Sequence, residues 1–239
     1  RNRRTGIIKE PGNPQVNPDK RQLSIGYISA DFRIHSVGYF VESIIKNHNK
    51  GKFKIFCYAD ISAPDEITKR IKNSAFKWRS IYNVDDREIT KMIKKDGIDI
   101  LVDLAGHSGR NKLSVFLYNP APIQVTYLGY PNTTGLSTMN YRLTDAWADP
   151  EKEDRYYTEE LYRLPGAFLC YRPTENVPEI KETPVIRNGY ITFGSFNNLA
   201  KINSQTVAVW SEILKNVPES KLEIKSKPFN DKNIIKYFH

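Results

Sequence analysis

The chain has 239 residues, 39% of them hydrophobic, which suits one large domain, or one domain and part of another, and excludes general disorder. No run of about 18 apolar residues occurs, so no spanning helix is expected. The net charge of +9 is carried largely by scattered lysines, and none of the usual nucleic-acid-binding signatures appears. That charge reads as a solvated surface, with help to a nucleotide phosphate as a secondary benefit.

Residues 1–22 are polar and rich in Pro, Asn, Arg and Lys, as in an extended arm or linker. They hold no signal core and no initiator Met, which suggests a piece of a longer protein. Leu23–Ser29 reads as a central parallel strand, apolar on both faces except at Ser24. A polar turn, Ala30–His35, leads to a helix with Ser36 as N-cap and Phe40, Val41, Ile44 and Ile45 at helical spacing. Strand Phe53–Tyr58, helix Glu66–Asn73 and strand Phe76–Ile81 follow. A helix over Asp85–Lys95 opens on Asp85 with Glu88 as in a capping box, buries Ile89, Met92 and Ile93, and ends at Gly97. Strand Ile98–Leu104, helix Asn111–Tyr118 and strands Ile123–Leu128, Tyr141–Thr144 and Leu161–Leu164 complete the first domain, 23–165. The acidic stretch Asp149–Glu160 reads as a solvated loop or helix. This alternation argues an α/β fold, a parallel sheet covered by helices.

Pro165 to Asn188 holds four Pro and no period, so 166–188 reads as a linker. An α/β pattern restarts over 189–239: strand Tyr190–Phe193, turn Gly194–Lys201, a helix from Asn203 to Asn216 burying Val207, Trp210, Ile213 and Leu214, and strand Leu222–Lys225. That is too little to close a core, so the second unit reads as the truncated start of a Rossmann-like lobe. Two such units imply a cleft between them.

Four turns carry chemistry. Asp31 and His35 follow the first strand, at the carboxyl end where open α/β sheets bind ligands. They could act as acid, base or orienting groups; equally, Asp31 could cap the turn and His35 lie at the surface. The turn lacks G-x-G-x-x-G. Asp103–Arg110, DLAGHSGR, places His107 at the same end of the sheet. Leu128–Gly135, LGYPNTTG, fixes its backbone with two Gly and a Pro, so its amides and carbonyls can approach a ligand. In the second unit GSFNNLAK sets Lys201 beside a helix N-terminus, where it could hold a phosphate or be an ordinary solvated Lys. Cys57 and Cys170 match no metal or redox spacing and fit a reducing cytoplasm.

The stretches GYISADFRIHSVGYF, DGIDILVDLAGHSGRNKL, PAPIQVTYLGYPNTTGLSTMNYRLTDAWADP and GYITFGSFNNLAKINSQTVAVWSEILKNVPESKLEIKSKPF together resemble the catalytic region of the O-GlcNAc transferase family. They are most similar to its SPINDLY-like branch. The resemblance implies a two-lobed GT-B glycosyltransferase that inverts at the anomeric carbon without a metal or other cofactor. It would move a sugar from UDP-GlcNAc or GDP-fucose to Ser or Thr hydroxyls of cytoplasmic or nuclear proteins. Members usually carry an upstream tetratricopeptide array that holds the acceptor protein.

Through the resemblance, His35 and Asp31 stand as catalytic residues and Lys201 as the Lys that meets the nucleotide diphosphate. Leu128, Gly129 and Pro131 of LGYP stand at the sugar pocket. Asn198 stands as a donor-contacting amide, and His107 at a position the family fills with His or Tyr. The family completes its nucleotide pocket with a later stretch, so this chain alone is expected to bind donor weakly and to be inactive. Two other readings stand beside this one. A non-catalytic interaction module would keep the fold, yet needs neither His35 nor Lys201. A nucleic-acid-binding domain has only the charge in its favour, and neither nucleic acid nor membrane is expected as a partner.

Overall fold

The structure is a computed structural model that describes residues 22–173 and 177–238. The expected arm over residues 1–22 lies outside the described residues except at Gln22. The chain divides into two compact units after Pro173.

In the first unit, β1 (Leu23–Ser29), β2 (Phe53–Ala59), β3 (Lys77–Ser80), β4 (Ile100–Asp103), β5 (Ile123–Thr126), β6 (Tyr141–Thr144) and β7 (Glu160–Arg163) form one parallel sheet. Its order is β3-β2-β1-β4-β5-β6-β7. The chain therefore builds outward from β1 through β3, then returns to the other side of β1 and builds outward again. Right-handed crossovers put the helices of the two directions on opposite faces of the sheet. Helices α1 (Ser36–Asn47) and α2 (Glu66–Ser74) bury Val37, Val41, Ile45, Ile67 and Ile71 against Ile25, Tyr27, Ile55 and Val102. Helices α3 (Asp86–Asp96) and α4 (Leu113–Phe116) bury Ile89, Ile93, Val115 and Phe116 against Ile28, Tyr58 and Leu101. Successive residues of β1 thus serve two cores, which is why the strand is apolar on both faces. The order reverses between β1 and β4, and the loops leaving their carboxyl ends diverge there to leave a crevice.

Several local expectations are corrected. Asp85 caps α3 by accepting from the Arg87 amide at 2.9 Å, but Glu88 turns outward to Lys91 rather than closing a capping box. The capping box is in α2, where Asp65 accepts from the Thr68 amide and the Thr68 hydroxyl accepts from the Asp65 amide. Helix α4 is a single turn, shorter than the expected 111–118. The acidic stretch is not simply solvated. A 3-10 helix spans Glu151–Tyr156, and Asp149 and Glu159 at its two sides are buried. Residues 166–173 lie with the first unit, where Phe168 meets Tyr127 and Tyr171 meets Phe40.

The second unit holds α5 (Pro184–Asn188), which falls within the expected linker, then β8 (Thr192–Ser195), α6 (Ser204–Asn216), β9 (Lys221–Ile224) and α7 (Lys232–Phe238). Strands β8 and β9 pair in parallel. Asn203 caps α6 as expected, accepting from the Thr206 amide. The expected buried face is not buried: Val207 and Ile213 are exposed, and Trp210 and Leu214 are only half-covered. Two strands present too narrow a surface to cover a helix of 13 residues.

Candidate functional site

The first group of site residues grows out of β1. Asp31 is buried, and its carboxylate accepts from the Arg33 guanidinium at 3.1 Å. The imidazole of His35 lies with Nδ1 3.7 Å from the other Asp31 oxygen, and its side chain is 40% exposed. His35, not Ser36, is the N-cap of α1: its backbone is extended and its Nδ1 accepts from the Val37 amide at 3.3 Å. An imidazole nitrogen can play this part because it places a lone pair two atoms beyond Cβ, much as an Asn side chain does.

This geometry gives His35 two arrangements. With the ring proton on Nε2, Nδ1 caps the helix. With the proton on Nδ1, it faces Asp31, and Nε2 is free to take a proton from a bound hydroxyl. The caps and the carboxylate thus compete for one nitrogen, and Asp31 favours the form that can act as a base.

The second group is the turn after β5. Leu128 has φ 74°, in the left-handed region that a branched side chain rarely enters. The Gly129 amide donates back to the Tyr127 carbonyl at 2.9 Å, so Leu128 stands at the centre of a γ-turn, a rare and strained shape. Gly129 is required: a Cβ there would stand 2.0 Å from the Leu104 carbonyl oxygen. Gly106 packs as closely in return, since its Cβ would meet Tyr130 at 2.3 Å. The loops leaving β4 and β5 therefore interlock, one glycine against backbone and the other against the Tyr130 side chain. Leu128 and Gly129 are half-buried and Pro131 is exposed.

His107 joins the same turn, but through its side chain. Its Nε2 lies 2.9 Å from the Thr134 carbonyl, and its ring stands edge-on to Tyr130 at 5.3 Å. A carbonyl can only accept, so Nε2 carries the proton. At the root of this loop Asp103 is fully buried and accepts from the amides of Ala105 and Gly106 and from the Thr126 hydroxyl. Burial holds its carboxyl above the usual carboxylate range, against the pull of those donors.

A further group was not singled out from sequence. Asp60, at the end of β2, pairs with Arg110 at 2.9 Å, and Arg110 also covers the Tyr82 ring. Asp60, Arg33 and Arg110 line a cavity of about 250 Å³ beside the β1 turn. Arg142 and Glu159 are both buried and both reach the β5 turn. Only the polarity of a residue inside a strand, YRLT, could have pointed to Arg142.

In the second unit, the turn after β8 contains a 3-10 helix over Leu199–Lys201. Asn198 caps it, accepting from the Ala200 amide at 3.1 Å, and Lys201 ends it with its side chain exposed. Asp31, His35, His107, Leu128, Gly129 and Pro131 thus share the carboxyl ends of β1, β4 and β5. Asn198 and Lys201 share one turn of the other unit. Among the described residues, no group of three or more His, Cys, Asp or Glu could hold a metal ion. Among them, too, no helix is long and apolar enough to cross a membrane.

A seven-stranded parallel sheet in this order, with an acid–imidazole pair at the point where the order reverses, defines a Rossmann-type ligand-binding unit. Comparison with known proteins makes this specific. The description "Glycosyl transferase family 41" matches residues 10–190, and the chain belongs to that family. It is 47% identical over 221 residues to the rice (Oryza sativa subsp. japonica) "Probable UDP-N-acetylglucosamine--peptide N-acetylglucosaminyltransferase SPINDLY", covering 91% of this chain and 24% of the relative. It is 33% identical to the Arabidopsis thaliana protein of the same description named SEC, covering 84% of this chain and 22% of that one. A solved mutant of the Thermobaculum terrenum O-GlcNAc transferase matches with a TM-score of 0.88 and 35% identity, covering 95% of this chain and 43% of that one. The chain spans about a quarter of the length of the curated relatives it matches. The α/β fold expected from sequence, and the similarity to the O-GlcNAc transferase and SPINDLY-like proteins, are both borne out.

Proposed function

We propose that this protein takes part in moving a sugar from a nucleotide to Ser or Thr hydroxyls of proteins, with inversion and without a metal. Family membership supports glycosyl transfer, and the relatives' names speak of peptide acceptors and N-acetylglucosamine. The observation that carries the reading is the Asp31–His35 pair at the carboxyl end of β1.

In this mechanism His35 receives the acceptor hydroxyl's proton on Nε2, while Asp31 holds the proton on Nδ1 and steadies the imidazolium that forms. The hydroxyl oxygen bonds to the anomeric carbon on the face opposite the departing diphosphate, whose bond to that carbon breaks. The diphosphate's growing charge is the main target for stabilisation, and Lys201 is the residue to supply it. The β5 turn offers backbone groups to the sugar. Asn198 contributes to the donor side, and His107 acts by holding the turn.

UDP-GlcNAc is the proposed donor, following the relatives' names; GDP-fucose has no support in those names and serves as the competing arm. The acceptors are proposed to be cytoplasmic proteins, held by an upstream tetratricopeptide array. Protein expressed from its complete gene is to be incubated with a Ser/Thr-containing peptide mixture and each donor in turn, and products weighed by mass spectrometry. A gain of one N-acetylhexosamine from UDP-GlcNAc is expected. A gain from GDP-fucose alone would overturn the donor assignment, and no gain from any nucleotide sugar would favour the non-catalytic module.

A further inference from the structure

The turn after β5 is short, strained and largely made of backbone, yet three ionisable side chains from three different elements converge on it. We propose that Glu159, Arg142 and His107 are positioning residues that clamp residues 128–135 in the shape a sugar ligand meets. That use of the turn rests on the transferase reading above; the clamp itself is read from the geometry.

Each of the three grips a different part. Arg142, on β6, is 1% exposed and donates through one guanidinium nitrogen to the carbonyls of Tyr130 at 2.8 Å and Asn132 at 3.4 Å. Its Nε reaches Asp149 at 3.2 Å. Asp149 in turn accepts from the hydroxyls of Thr144 and Tyr157. Glu159 grips the far end. One of its oxygens accepts from the Thr134 amide at 2.7 Å and from the Thr134 hydroxyl, and the other from the Thr133 hydroxyl at 2.7 Å. His107 holds the Thr134 carbonyl through Nε2 at 2.9 Å.

The amide, hydroxyl and carbonyl of one residue, Thr134, are thus all engaged by ionisable side chains. The backbone it anchors contains the γ-turn at Leu128 and the close approach at Gly129. Strained backbone persists only where its surroundings over-determine it. Here the surroundings include two charged groups buried to 1% and 5% exposure, each hydrogen-bonded to the turn. Burial alone would raise the Glu159 carboxyl, but the donated hydrogen bonds outweigh it and hold it below the usual range, so the clamp is closed with Glu159 ionised.

The clamp predicts that Glu159 acts through the turn and not only through overall stability. Hydrogen exchange read by mass spectrometry, on protein expressed from its complete gene, separates the two. In Glu159→Ala, amides of 128–135 are expected to exchange at least about tenfold faster, while those of β1 and β4 keep their protection. Glu159→Gln, which keeps an acceptor for the Thr134 amide, restores most of the protection. Glu159→Asp, which keeps the charge but draws the carboxylate back by one methylene, opens the turn partway. Sugar transfer measured on the same samples should fall about 100-fold in kcat for Glu159→Ala and recover in Glu159→Gln. Unchanged exchange at 128–135 in both Glu159→Ala and Glu159→Asp would overturn the clamp. Faster exchange confined to the turn in the Glu159 variants, alongside a wild type that transfers no sugar, would uphold the clamp and overturn the transferase reading.

Discussion

Two turns at the same end of one sheet solve the same problem differently. The turn after β1 offers its chemistry in side chains, and the groups that tune it, Asp31, Arg33 and His35, lie within five consecutive positions. The turn after β5 offers mainly backbone, and the groups that shape it come from β6, from the residue before β7 and from the loop after β4. The first can tolerate solvent, since His35 is 40% exposed. The second depends on buried charge. A reactive side chain can be placed by local sequence, whereas a backbone platform must be held from outside.

The contrast predicts that damage to the β5 turn is felt in stability as well as in transfer, and damage to the β1 turn in chemistry with little loss of stability. The largest effect is expected for Arg142→Met. It leaves Asp149 buried with only hydroxyl donors, at a cost of about 3–5 kcal/mol in chemical denaturation. Gly129→Ala should cost about 1–3 kcal/mol, because the added methyl meets the Leu104 carbonyl and the γ-turn cannot shift to admit it. A third test lies away from both turns. Asp96 is bound by Arg79, Lys77 and Tyr58, which together outweigh burial and bring its carboxyl down to about 2. Its folded pKa lies below the unfolded value, so its contribution is complete above the ordinary carboxylate range and is lost as pH falls toward about 2. Acid titration of Asp96→Asn against wild type should show the two stability curves converging as pH falls. The smallest effect on stability is expected for Asp31→Asn, within about 1 kcal/mol, since its partner Arg33 is half-exposed. Its transfer rate should nonetheless fall, because the neutral amide no longer favours the proton on Nδ1. A loss of stability as large as that of Arg142→Met would erase the distinction between the turns.

The sheet was legible because its strands are short apolar runs punctuated by Gly, Pro and Asn, and the helices because their apolar residues recur at helical spacing. Position at a strand's end made Asp31, His35 and Lys201 candidates, and the resemblance gave them roles. What stayed hidden depends on partners far along the chain. Asp149 and Glu159 read as solvated acids because their partners, Arg142, Thr133 and Thr134, lie 7 to 26 positions away. His35 displaced Ser36 as the cap because the helix begins one residue earlier than the composition suggests. The face of α6 read as buried because the pattern records which residues are apolar, not whether a surface exists to cover them.

The central claim is that the acid–imidazole pair performs chemistry in sugar transfer. It is tested most directly by single-turnover transfer to a Ser peptide, using wild type, His35→Ala and Lys201→Ala expressed from the complete gene. The account predicts that each variant binds the peptide as before and loses at least about 100-fold in the rate of the chemical step. Transfer at the wild-type rate by His35→Ala would contradict it.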